Sequence, residues 1–484
     1  MLTTAETDSK AGIFSAAFLP ITLMNILVVT SHAVNGFITS VIAPSIVVDL
    51  GGRELMFWLF ALFQVGSICA GVMAGNFKIR FGAKPIFLSS ALLLAFGSVL
   101  GGIANNLALV ILARGLQGIA EGMLISLVYV VIADHLPSRL LPRIFALSST
   151  LWALAAAATP LFAGLLTEFV SWRIAFLFNL PLVVILIFLS YFALPKTEPQ
   201  GEAKPFPLKR LLLLVTALLI TGFAGQITNI AWLGLIILAS TTLLVGFGAL
   251  DQKAVERFMP PNLFSLKTNM GRSFAMLGLF TIGASGRTVY MVALLQSIWL
   301  MSPMMAGYAT ATLAMTWTIA AWIANRIEDV KRRVAFIRMG ASFIFVGGVI
   351  SAYGVWVMNL PLAIGGMMLT GAGYGSSSPL IRQTIITQAP TEHRTIASGA
   401  MAPVQFTGAV FGAAIAGFCA LAFGLFDGAI GDTVLTAQAA QQGGAALLFA
   451  FTLFPALCIL ISLGLSTIPD HEESEASEKS EALA

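Results

Sequence analysis

Residues 113–123 read ARGLQGIAEGM. An arginine and a glutamate stand seven residues apart in a run that is otherwise small and apolar. On a helix, Arg114 and Glu121 fall on the same face, about 10 Å apart along the axis. Arg114, Gln117, Gly118 and Glu121 follow the i, i+3, i+4, i+7 spacing and make one polar stripe. A charge near the middle of a bilayer costs at least a few kcal/mol and turns toward protein or a water-filled cavity. The stretch therefore reads as a membrane helix with one face turned away from lipid.

The remainder of the chain agrees with that reading. Of 484 residues, 58% are hydrophobic and 10% charged, against about 25% charged in soluble domains. The mean hydropathy is +0.92. Runs of about 20 apolar residues are long enough to span a bilayer, and the chain holds fourteen of them. The fold expected is an all-α membrane protein with fourteen transmembrane helices, as two six-helix bundles with two extra helices between them. The expected organisation is an N-terminal segment 1–19, a first bundle 20–194 and a linker 195–207. Two additional spans follow at 208–249, then a loop 250–273, a second bundle 274–467 and an acidic disordered tail 468–484. Weak internal symmetry of this kind is typical of transporters with a site near the bilayer midplane.

Lysines and arginines set the orientation. With both termini in the cytoplasm, the basic residues from Lys78, Arg80 and Lys84 through Lys331, Arg332 and Arg333 to Arg394 share the cytoplasmic side. Only Arg53 and Arg173 lie opposite. The opening residues are polar and mixed in charge, and the apolar segment after them is too long for a signal peptide core, so the first helix is expected to stay in the membrane. Cys69, Cys419 and Cys458 lie in apolar runs without metal-like spacing and read as buried hydrophobes. The four histidines are scattered. No metal site, cofactor or nucleic-acid partner is expected.

Several segments resemble the major facilitator superfamily, in particular its fourteen-helix drug:proton antiporter branch. GNFKIRFGAKP (75–85) resembles the signature of the loop between the second and third spans, matching at Gly75, Arg80, Gly82 and Lys84, with Ile79 where the family has aspartate. RGLQG (114–118) matches the motif of the fourth span. SWRIAFLFNLP (171–181) and LLQSIWLMSPMMAG (294–307) resemble two further segments of that branch. Two departures stand out. Counting back nine positions from Pro44, the acid usual in the first span is Asn35. In AAAATPLFAGL (155–165) Pro160 and Gly164 remain, while Ala155, Thr159 and Ala163 replace glycines.

The resemblance implies a secondary transporter whose first, fourth, ninth and twelfth spans line a central cavity, working by alternating access. Mid-depth ionisable groups fall on three of these spans: His32, Glu121 and Arg287. Glu121 and His32 are the candidate proton-coupling groups. A buried carboxyl beside an arginine can be poised between protonation states, and histidine titrates near neutrality. Arg114, as a fixed charge, suits bracing or setting the local field. Asn35, Arg114, Gln117, Arg287, Tyr290, Gln296 and Tyr374 are candidate substrate contacts, with Gln64 a weaker one. Arg287 suits either an anionic substrate group or a pairing with Glu121. Gly75, Arg80, Gly82, Lys84, Pro160 and Gly164 are candidate conformational elements. Arg80 and Lys84 can pair with helix C-termini, and small residues permit close packing.

Two functions share this fold. One is proton-coupled export of drug-like or amphipathic compounds. The other is export of an anionic metabolite, siderophore or lipid-like substrate, with altered or absent proton coupling. A membrane enzyme or sensor is disfavoured because no nucleophile–base motif or soluble output domain is found. The expected setting is a bacterial cytoplasmic membrane, with a small-molecule substrate, protons and lipid as partners, and a monomeric protein.

Overall fold

The computed structural model describes residues 12–51, 58–194, 208–224, 227, 229–255, 257–261, 263, 265–301, 303–425 and 437–466. Arg53, the linker 195–207 and the tail 468–484 lie outside these residues. Of the side chain of Pro44 in the first span, and of Pro160 and Gly164, on which the helix-five motif rests, nothing is described. The described secondary structure is helical. In chain order the helices are α1 (Leu19–Leu50), α2 (Trp58–Phe81), α3 (Ala83–Gly102), α4 (Leu107–His135), α5 (Leu141–Phe169), α6 (Trp172–Leu177), α7 (Leu180–Ala193) and α8 (Leu208–Phe223). They continue as α9 (Ile230–Gln252), α10 (Asn269–Trp299), α11 (Pro303–Ala324), α12 (Val330–Trp356), α13 (Leu360–Gln388), α14 (Arg394–Ala422), α15 (Ala437–Phe451) and α16 (Leu453–Leu463).

Ten stretches of the described residues are long and apolar enough to cross a membrane, and the chain is a multi-pass membrane protein. Two of the ten, Trp172–Ala193 and Ala440–Leu463, are each interrupted. The breaks fall where a proline enters the first turn of a new helix, Pro181 in α7 and Pro455 in α16, a position that tolerates its missing N–H. α8, with 16 residues, is shorter than a bilayer requires. α13 is long, but glycine and serine dilute its hydropathy.

The chain divides into two compact units, with α8, α9 and α14 each contributing to both. Unit 1 holds residues 1–219, 243–259 and 398–406; unit 2 holds 220–242, 260–397 and 407–484.

In unit 1 the closest packing is between α2 and α4. A Cβ at Gly118 would lie 2.1 Å from the Phe63 carbonyl oxygen, and one at Gly122 2.0 Å from that of Ser67. Only glycine permits the two backbones to come this near. Ser67 uses the proximity to donate a hydrogen bond to the Gly118 carbonyl at 3.0 Å. The SWRIAFLFNLP segment ties three elements together. Trp172 Nε1 and Arg173 Nη1 both donate to Asp49 at the end of α1, at 3.1 and 2.8 Å, and Arg173 Nη2 donates to the Ala104 carbonyl before α4. The hydrogen bond from Arg173, then that from Trp172, holds the Asp49 carboxyl below its usual 3.8. A lowered carboxyl contributes stability above its unfolded pKa, and this contribution is lost as pH falls through the lowered value. The clasp is thus complete at neutral pH and opens only in acid.

The segment after α2 also has a structural account. Gly82 has φ +84° at the start of α3, a conformation costly for any residue with a Cβ. Lys84 donates to the carbonyl of Tyr191 in the last turn of α7, the basic-group-to-C-terminus pairing that the helix dipole favours. Ile79 stands where an acid is usual, and the adjacent Lys78 pairs with Asp134 at the end of α4 at 2.6 Å. Farther along, Asp251 of α9 is fully buried. It pairs with Arg210 of α8 and accepts from the backbone N–H groups of Phe258 and Met259.

Unit 2 is organised around α13. Its glycines meet two neighbours at backbone distance. A Cβ at Gly371 or Gly375 would lie 2.1 or 2.0 Å from carbonyl oxygens of α11, and Gly366 and Gly373 press in the same way on α12. The glycines around Tyr374 therefore serve close packing. Arg338 of α12 donates to the carbonyls of Ser462, Leu463 and Leu465, closing the C-terminus of α16.

The α2–α4 contact yields a direct expectation. Gly118→Ala should lower stability by about 1–3 kcal/mol through overpacking against a backbone that cannot retreat. Gly365→Ala, where a Cβ meets nothing within 4 Å, should be neutral or slightly stabilising in a helix. Thermal unfolding of the two variants in detergent checks this.

Candidate functional site

Glu121 sits on α4, 2% exposed, one turn beyond the glycine that locks α4 to α2. An ionised carboxylate only accepts hydrogen bonds, and a buried one needs neighbouring protein groups to supply the donors. Helix α1 does so. Ser31 Oγ donates to Oε1 at 3.1 Å, and the Asn35 amide donates to the same oxygen. His32 Nδ1 lies 3.0 Å from Oε2, a hydrogen bond with the proton on Nδ1 and an ion pair when the ring is doubly protonated. His32 and Asn35 are themselves 5% and 1% exposed. Helical spacing explains the convergence: residues 31, 32 and 35 lie on neighbouring positions of one helical face.

The imidazole is enclosed by aromatic rings. Phe63 stacks on it at 6.0 Å, Trp152 meets it edge-on at 5.8 Å, and Phe406 lies at 4.9 Å. Phe63 also lies under the Arg114 guanidinium, 4.0 Å from its centroid, a favourable site for a cation when desolvated. One aromatic ring thus lies against both His32 and Arg114.

The polar stripe on α4 splits. Arg114 Nε donates to the Leu59 carbonyl at 3.2 Å and Nη1 to Gln117 Oε1 at 2.8 Å; Gln117 Nε2 donates on to Ser98 of α3 at 3.0 Å. Arg114 and Gln117 thus face α2 and α3, while Glu121 faces α1. The charges of ARGLQGIAEGM share a helix without pairing. Arg114 and Gln117 were both candidate substrate contacts, and their polar groups are engaged within unit 1. Ser31 and Ser98 were not among the sequence candidates. Ser31's position beside His32 is the one signal that could have marked it.

In unit 2, Arg287 is 4% exposed at the middle of α10. Its Nη2 donates to the Tyr374 hydroxyl at 3.1 Å, and that hydroxyl donates to the Phe280 carbonyl at 3.0 Å. Trp317 stacks on the Tyr374 ring at 4.9 Å. Two sequence candidates, Arg287 and Tyr374, are thus brought together. Tyr290 packs in the apolar core of unit 2, and Gln296 is half-buried on the same helix. Gln64 is half-buried on α2.

The Glu121 cluster makes a testable demand. Asn35→Asp would set a second carboxylate against the first and remove a donor. Two such groups do not readily ionise together, so the variant should lose stability relative to the native protein, and lose more at pH 8 than at pH 5. Melting temperatures at the two pH values check this. An equal deficit at both would mean that the two side chains do not meet.

Comparison with known proteins places the chain. A family model described as Major Facilitator Superfamily matches residues 25–413. A protein named "Probable multidrug-efflux transporter" in Mycobacterium tuberculosis is 26% identical over 404 residues, covering 80% of this chain and 85% of that protein. The multidrug efflux pump SdrM of Staphylococcus aureus is 25% identical over 357 residues, covering 72% and 78%. Among solved structures, the human organic anion transporter MFSD10 aligns with a TM-score of 0.64 at 13% identity, covering 92% of this chain and 98% of that one. The proton:xylose symporter XylE aligns at 0.63 and 15% identity, covering 91% and 94%. At these identities the two structures establish the fold.

Proposed function

Because the chain belongs to the Major Facilitator Superfamily, we propose that it exports drug-like or amphipathic compounds in exchange for protons, by alternating access, with Glu121 as the proton carrier. The fourteen-helix drug:proton branch, with six-plus-six spans, two extra helices and both termini in the cytoplasm of a bacterial cell, is the form of the family this reading adopts. The named relatives that work in multidrug efflux support the substrate class.

The observation that carries the reading is the Glu121 carboxylate and its three donors from α1. When ionised, the group needs those donors, since an unsatisfied buried charge is expensive. When protonated, it is neutral, needs one acceptor, and no longer holds Ser31, His32 and Asn35 in the same way. Proton occupancy and the α1–α4 contact are therefore linked: a conformation that withdraws α1 favours the protonated acid, and one that returns α1 favours proton release. His32, on the second oxygen, is placed to pass or share the proton. Arg114 and Gln117 act as scaffold, keeping a positive charge in place beside Phe63 while Glu121 changes state. Asn35, where an acid is usual in the first span, is consistent with this scheme. It leaves one carboxylate in the cluster and gives it a donor.

The test is transport in proteoliposomes under an imposed pH gradient. The protein with Glu121 should move a cationic dye against its gradient, at a rate that follows the pH difference. Glu121→Gln, which keeps shape and hydrogen bonding but cannot ionise, should reduce gradient-driven movement to background while retaining dye binding. A variant that transports with an unchanged pH dependence would overturn the assignment.

A further inference from the structure

We propose that unit 2 holds a binding site for a small monovalent anion, of halide or carboxylate chemistry, between Arg287 and the aromatic pair Tyr374–Trp317. This inference stands apart from the proton pathway in unit 1.

Arginine keeps its charge in any protein setting, and Arg287 is almost fully buried. Its Nη2 is used by Tyr374, whereas Nε and Nη1 have no hydrogen-bond partner. The Tyr374 hydroxyl cannot balance the charge; it is neutral, and its own proton goes to the Phe280 carbonyl. The Nε1–H of Trp317, on the ring stacked against Tyr374, is likewise buried without a partner. Three donor nitrogens on two side chains that touch one tyrosine therefore lack acceptors, and one of those side chains is cationic.

The described carboxylates of unit 2 do not supply the missing charge. The acids among the described residues of unit 2 are Glu328, Asp329 and Glu392. Asp329 caps the start of α12. Gly348, whose bare Cα lets Arg287 Nη1 lie close, is about 27 Å farther along that helix at 1.5 Å per residue. Glu392 lies beyond the end of α13, about 20 Å along the axis from Tyr374 by the same measure, and pairs with His393. A buried charge left uncompensated is strongly unfavourable. Water would accept the hydrogen bonds and leave the charge unbalanced. A monovalent anion satisfies both requirements, and the donor set is planar guanidinium and indole N–H, which suits a halide or one carboxylate group.

The experiment is a thermal titration of the full-length protein in detergent at fixed ionic strength, replacing sulfate stepwise by chloride, bromide or acetate. Binding to the folded state raises the melting temperature with ligand concentration, so a saturable rise of about 3 °C is expected. A rise with halides alone identifies a free inorganic anion as the ligand; a rise with acetate alone identifies a carboxylate. Arg287→Leu should abolish the rise. If that variant does not fold, Trp317→Phe decides, since it keeps the ring stack and removes one donor, and a several-fold higher half-saturating concentration is expected. No rise with any of the three anions, a rise that persists in Arg287→Leu, or an unchanged half-saturation in Trp317→Phe would overturn the proposal. Glu121→Gln should leave the titration unaltered, so that failure of the proton mechanism and failure of the anion site are separately visible.

Discussion

The approach of α4 to α2, limited by backbone rather than side chains, sets the terms for the polar chemistry of unit 1. With Gly118 against the Phe63 carbonyl and Gly122 against that of Ser67, neither helix can slide or rotate without a clash. That fixed contact brings the Leu59 carbonyl and the Phe63 ring to Arg114, so an arginine can be buried with a carbonyl, an amide and an aromatic face as partners. It also fixes where Glu121 emerges. α4 meets α2 on one face and turns Glu121 toward α1, where three polar side chains, Ser31, His32 and Asn35, serve it. The glycine contact with α2 and the hydrogen-bonded contact with α1 lie on different faces of the same helix.

The exchange of an acid for Asn35 gains meaning in this setting. On sequence alone the change removes an expected feature of the first span. In the structure, the amide of Asn35 and the carboxylate of Glu121 make one hydrogen bond. An acid at both positions would set like charges together, and an amide at both would leave no ionisable acid in the cluster. The constraint therefore concerns the pair of positions. A departure from a family motif in α1 is read correctly only together with what α4 places opposite it.

Much of this was legible beforehand, and the remainder failed for identifiable reasons. Hydropathy located the helices because each must hide its backbone from lipid. Glu121 and His32 stand out in the sequence as rare ionisable groups at mid-depth, but their contact does not, since Arg114 and Arg287 offer themselves as partners of the acid just as readily. The stripe on α4 is one surface by sequence spacing and two in the structure, because a helix at 3.6 residues per turn drifts about 20° over seven positions and a long arginine reaches back toward the preceding turn. Ser31 was invisible since serines are common in membrane helices and only its neighbour gives it weight. The breaks before α7 and α16 carried a signal in Pro181 and Pro455, but a hydropathy window averages across such points. The partners of Arg287 were not legible, because Tyr374 is 87 residues away and glycine packing of α13 is what brings it near.

The ring arrangement around His32 has an optical consequence. Trp152 meets the imidazole at 5.8 Å, within the range at which a protonated imidazole quenches indole emission by accepting charge from its excited state. A change of proton on His32, or a withdrawal of α1 from the site, would alter the emission of that one tryptophan. Trp152 is thus placed by packing, rather than by a label, to report on its histidine neighbour.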